Sequence, residues 1–117
     1  MANARRIEKI NILIREVVSA ILSRDFSPPA GVMVTVTRVE TSEDIHYATI
    51  FISVFGGEEG QEKNIITELS RSAGLIQHQL NRKLRMRPVP KITFDIDEKE
   101  KRRERIEKLL SDESNTR

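Results

Sequence analysis

The sequence predicts an α+β domain of two layers, with helices packed on one face of a three-stranded sheet. Three observations carry this. Apolar residues recur at steps of three and four over two long stretches, 4–22 and 65–85. Three shorter stretches alternate apolar with polar residues, two of them rich in β-branched side chains. Breaks containing Gly or Pro separate several of these stretches. Three strands cannot bury themselves, so helices must cover one face.

Each element has its own justification. Ile7, Ile10, Ile14, Val17, Val18 and Ile21 form the stripe of a first helix. Asn3 is its expected N-cap, and Arg5, Lys9, Arg15 and Glu16 its polar side. Pro28, Pro29 and Gly31 end it. From Val32 the chain alternates, with Val32, Val34 and Val36 on one face. The polar "TSEDI" links it to a second strand, His46 to Phe55, so the pair is antiparallel. Ala48, Ile50, Ile52 and Val54 share one face of that strand, and Phe55 is expected in the core. After "GGEEGQ", helical spacing runs through Ile65, Ile66, Leu69, Ala73, Ile76, Leu80 and Leu84. Gly74 lies inside it and implies a kinked helix pair, because Gly in a helix costs roughly 1 kcal/mol relative to Ala. "RPVP" forces an extended segment, and "KITFDID" forms the third strand. Residues 98–117 read as a charged tail, with one or two helical turns to about 110 and disorder beyond Ser111. Residues 1–97 form the folded domain.

A length of 117 residues supports one domain with one core. Aromatics are only 4%, so that core rests on Ile, Val and Leu. The absence of Cys excludes disulfides and thiolate metal sites, and suits a reducing compartment. No apolar run approaches the roughly 20 residues of a membrane span, and "MANARRIEKI" leads into no signal-peptide core. A cytoplasmic protein without a membrane partner is expected.

Charge is distributed unevenly. The net charge is only +2, yet Leu69 to Phe94 holds Arg71, Arg82, Lys83, Arg85, Arg87 and Lys91 and no acid. Glu40 to Glu68 holds seven acids against Lys63 alone. On one helical wheel, Arg71, His78, Arg82 and Arg85 fall opposite Leu69, Ala73, Ile76, Leu80 and Leu84. A cationic stripe without carboxylates meets the needs of a phosphate backbone: permanent positive charge, and close approach at Gly74, which has no Cβ. The candidate binding residues are Arg5, Arg6, Lys9, Arg71, Ser72, Ala73, Gly74, His78, Arg82, Lys83, Arg85, Arg87 and Lys91. They imply recognition of backbone and shape rather than a base code.

Nothing in the sequence points to catalysis. His46 and His78 have no partners at metal-ligand spacing and read as surface residues. Asp95 and Asp97 read as the solvent face of the third strand. There is no phosphate loop with Lys, nucleophile elbow or dinucleotide fingerprint. No cofactor is expected.

A basic amphipathic first helix, "VTVT", "ISVF", "SAG", "RKLRMR" and "VPKITFDID", in that order, resemble the ribosome-binding factor A family over residues 4–110. The segment Arg87 to Phe94 is the most specific piece. The resemblance implies a KH-like fold of the second type, with Ser72-Ala73-Gly74 replacing the usual GxxG loop. The literal match "GEEG", Gly57 to Gly60, precedes the helix pair and carries two acids, so it is a turn. The resemblance further implies binding, as a monomer in isolation, to ribosomal RNA of the free small subunit during late maturation. It implies contacts near that RNA's terminal helices and decoding region, support of 5′-end processing and of growth in the cold, and departure before translation. The alternative is a general nucleic-acid binder or a resident ribosomal protein, although a resident would carry a larger excess than +2.

Overall fold

The computed structural model describes residues 2–115. Its elements are α1 (Ala2–Asp25), β1 (Met33–Thr41), β2 (Tyr47–Phe55), α2 (Gln61–Arg71), α3 (Ala73–Lys83), β3 (Lys91–Ile96) and α4 (Glu98–Asn115). This is the α+β order expected for a KH-like fold of the second type, with one further helix. The sheet order is β1-β2-β3. β1 pairs antiparallel with β2, and β3 pairs parallel with β2, in register Tyr47 to Lys91 and Ile52 to Ile96. A parallel pair needs a long crossover, and α2 with α3 provides it.

The core forms where the stripes meet. Ile10, Ile14, Val18, Ile21 and Leu22 come from α1, Ala48, Ile50 and Ile52 from β2, and Ile92 and Phe94 from β3. Ile65, Leu69, Ile76 and Leu80 seal it from α2 and α3. The opposite sheet face stays open. There Tyr47 is exposed, and Phe51 is half-buried beneath the Arg38 guanidinium, 3.9 Å from its ring centre.

Several expectations are corrected. Asn3 does not cap α1, which starts at Ala2. Phe55 is not core but 67% exposed, because it ends β2 on the open-face parity. The alternation of β1 is interrupted by a bulge between Val36 and Arg38, so Val36 and Val39 are both buried. Asp97 is not on the solvent face with Asp95; it is 3% exposed. The last helix does not stop near 110 but runs as 18 residues to Asn115, and the expectation for Thr116 and Arg117 lies outside the described residues.

Asp97 joins three elements. One carboxylate oxygen accepts from Thr37 Oγ1 (2.5 Å) and Arg38 Nε (3.1 Å). The other accepts from the Glu100 N–H (3.1 Å), which makes Asp97 the N-cap of α4. Burial pushes its pKa up, but the donors Thr37, Glu100 N–H and Arg38, with the charge of Arg38, outweigh burial and hold the carboxyl below its ordinary range. The bulge thus turns a hydroxyl and a guanidinium toward the start of the last helix.

Candidate nucleic-acid interface

The interface is built on a helix pair interrupted by one residue. α2 follows Gly60, whose φ of 89° suits a residue without Cβ. Ser72 has φ −90° and ψ −1° and belongs to both helices' ends. Its N–H donates to Glu68 O and Leu69 O (both 3.1 Å), while its own carbonyl accepts from Ile76 N–H (3.0 Å). The break between α2 and α3 therefore stays hydrogen-bonded. Gly74 sits inside α3, and a Cβ placed there would meet nothing within 4 Å. Packing within the chain does not require glycine at this position.

The buried stripe fixes the direction of the cations. Leu69, Ile76, Leu80 and Leu84 are buried, and Arg71, His78, Arg82, Lys83 and Arg85 are exposed, as the wheel expects. Ala73 and Ser72 are half-buried at the turn. Arg24, Arg38, Lys101 and Arg103 each pair with a carboxylate, but Arg71, Arg82, Lys83, Arg85, Arg87 and Lys91 pair with none among the described residues. Arg87 differs from the others. Its Nη1 donates to Leu84 O (3.1 Å) and Met86 O (2.7 Å), so part of its guanidinium closes the end of α3.

A shallow groove lined by Ala73, Gly74, Gln77, Asn81, Val89 and Lys91 connects the kink to the start of β3. Gln77 anchors it. Its Nε2 donates to Asn81 Oδ1 and Pro90 O (both 3.0 Å), and its Oε1 accepts from Ile92 N–H (2.8 Å). Sequence reasoning missed Gln77 and Asn81, which look like ordinary polar helix residues until β3 is placed beside them. On the other side of the kink, Leu75 is 72% exposed and faces Ile21, Leu22 and Phe26 across a second groove. Arg24 donates to Gln79 Oε1 (2.6 Å) and pairs with Asp25, which ties α1 to α3. The hydrogen bond from Arg24 holds the exposed Asp25 carboxyl below its ordinary pKa.

The structure does not bring every candidate to the kink. Ser72 meets the C-terminal end of α1, around Ile21 and Leu22, whereas Arg5, Arg6 and Lys9 are exposed near its other end. From Lys9 to Ile21 the helix rises roughly 18 Å. Thr41 Oγ1 donates to Asn11 Oδ1 (2.6 Å), and Thr41 pairs with Ala48, which pairs with Ile92. That chain of contacts sets the α1 cations at the end of the sheet where Lys91 begins β3.

Architecture and surface define a class: a small KH-like α+β domain whose helix pair turns an unneutralised cationic face to solvent. Residues 6–110 match the family model described as ribosome-binding factor A. The chain is 37% identical over 107 residues to ribosome-binding factor A of Protochlamydia amoebophila, covering 91% of this chain and 81% of that protein. It belongs to the ribosome-binding factor A family. Among solved structures, ribosome-binding factor A of Thermus thermophilus is 22% identical, with a TM-score of 0.64 over 77% of this chain and 94% of that one. A homology model of the Thermus protein, as fitted into a cryo-EM map of its complex with 30S, is 23% identical, with a TM-score of 0.59 over 73% and 88%. These two likenesses show the shared fold. Among the described residues, no helix is long and apolar enough to cross a membrane.

Proposed function

We propose that this protein is a non-catalytic maturation factor of the small ribosomal subunit, docking on ribosomal RNA of the free subunit through the face of α2 and α3. The observation that carries the reading is the row of exposed Arg71, Arg82, Lys83 and Arg85, with no carboxylate partner among the described residues, beside a glycine that intramolecular packing does not need. Close approach at Gly74 lets a phosphate run along the kink, with Ser72 and Ala73 below it and Lys91 at the groove's far end. His78 and Arg87 extend the face, and Arg5, Arg6 and Lys9 form a separate outlying contact. Family membership and the fitted 30S complex of the Thermus relative support the choice of particle. Residues 1–97 serve as the docking domain. The protein acts as a cytoplasmic monomer, supports 5′-end processing of the RNA and growth in the cold, and leaves before translation.

Reversing Arg82→Glu and Arg85→Glu together tests this. Both residues are exposed, so the fold survives. Affinity for the RNA falls, and the salt dependence flattens by roughly 0.7–0.9 units of slope per lost phosphate contact. An unchanged slope shows that these side chains touch no phosphate. Lysate fractionation separates the reading from that of a resident ribosomal protein: the factor sediments with free or immature small subunits, and a resident appears equally in translating ribosomes.

A further inference from the structure

Helix α4 faces the wrong way for burial. Phe55, exposed at the end of β2, lies against the side of α4 that carries Lys101, Glu104, Arg105, Lys108 and Ser111. At 100° per residue, Ile106, Leu109 and Leu110 centre on nearly the opposite side. All three are more than half exposed. Lys99 and Arg102 share that outward side one and two turns earlier, and neither pairs with a carboxylate among the described residues. Within Glu98–Ser111, the acids Glu98, Glu100, Glu104 and Glu107 all fall about 70° or more from its centre. The helix is set in this orientation by the Asp97 cap and by the Lys101–Glu62 pair (3.1 Å).

We infer that this outward side of α4 is a second docking surface, for a protein component of the particle to which the cationic helix pair binds. Its occupant has an apolar groove for Ile106, Leu109 and Leu110, anchors at i, i+3 and i+4, with carboxylates at the end that receives Lys99 and Arg102. The apolar trio decides the class of occupant, and charge its rim. The trio offers nothing to a phosphate backbone, and on a partner that buries it Lys99 and Arg102 call for carboxylates. Size argues against a second copy of this chain: three side chains fall far short of the roughly 20 residues a side of a stable interface. Such a small contact suffices where the first site already holds the two bodies together, because the second event is then intramolecular. The inference rests on the docking reading above.

The test compares two ligands, the protein-free small-subunit RNA and the immature small subunit. A triple variant, Ile106→Ala, Leu109→Ala and Leu110→Ala, keeps the helix because Ala is the best helix former. Its circular dichroism matches that of the unaltered protein. Its affinity for the immature subunit falls about tenfold or more, and its affinity for the free RNA stays the same. Lys99→Glu with Arg102→Glu weakens particle binding likewise. A photo-crosslinker in place of Leu109 joins a ribosomal protein. Unchanged particle affinity, an equal loss on free RNA, or crosslinks to RNA or to a second copy of the chain overturns the inference. Failure of the Arg82/Arg85 variant to weaken RNA binding instead overturns the docking reading, so the two failures are distinguishable.

Discussion

Helices α3 and α4 are both amphipathic and rich in cations, yet they end in opposite arrangements. In α3 the apolar side faces the sheet and the cations face solvent. In α4 a mixed charged side faces the domain, and Ile106, Leu109 and Leu110 face out. Pattern alone does not decide which side is buried; the attachment does. α3 lies within the crossover between two paired strands, so it must lie along the sheet. α4 follows β3, the last paired strand among the described residues, and its start is held by a buried cap rather than by its own apolar stripe. An amphipathic pattern predicts a helix, and only the topology says whether its stripe belongs to the core.

Truncations at matched positions break or sharpen this comparison. Leu80→Ala removes a side chain with no exposure and lowers unfolding free energy by about 2–5 kcal/mol in denaturant titrations. Next comes Asp97→Ala, which leaves Arg38 Nε and the Glu100 N–H without their acceptor, although Arg38 keeps its pair with Glu40, and costs about 2–4 kcal/mol. The same site has a pH signature. Its folded pKa is lowered, so its contribution is complete above the unfolded carboxyl's ordinary value and disappears as pH falls toward the folded one. Asp97→Asn loses that part of the acid dependence, and an acid titration followed by circular dichroism shows whether it does. Gly74→Ala works in the other direction. With no atom in the way, stability rises by up to about 1 kcal/mol, while affinity for the RNA falls because the new methyl holds the phosphate off. The smallest effect is that of Leu109→Ala, within about 0.5 kcal/mol in stability. A larger loss there means that the stripe of α4 is already buried in the isolated protein.

The repeating parts of the fold were legible in the sequence. The stripes of α1, α2 and α3 and the inward faces of β2 and β3 follow from periods of 3.6 and 2, and the exposure of Arg71, Arg82 and Arg85 follows with them. What was hidden depends on contacts distant in the chain. The bulge at Thr37 leaves no mark in a run of alternating Val and Thr. Asp97 looks like the outward partner of Asp95 until Thr37 and Arg38 arrive from β1, 60 and 59 residues away in sequence. Phe55 lies outside the core, contrary to expectation, because its parity on β2 sets it on the open face. The length of α4 was written locally, in strong helix formers, early acids and the Arg103 pairs with Glu100 and Glu107. Balanced charge hid it.

The Gln77 contact with Ile92 has a consequence for life in a crowded cell. Along β3, the N–H groups of Lys91 and Asp97 point to β2, so those of Ile92 and Ile96, like that of Phe94 between them, point outward. Gln77 occupies the first, and the Asp95 side chain takes the second (2.8 Å). An intruding strand finds these two donors already taken and meets at most the Phe94 N–H between them, so this margin of the sheet resists aggregation. Charge reversal on the neighbouring helices leaves that protection in place, because a neutral amide and a carboxylate of β3 itself supply it.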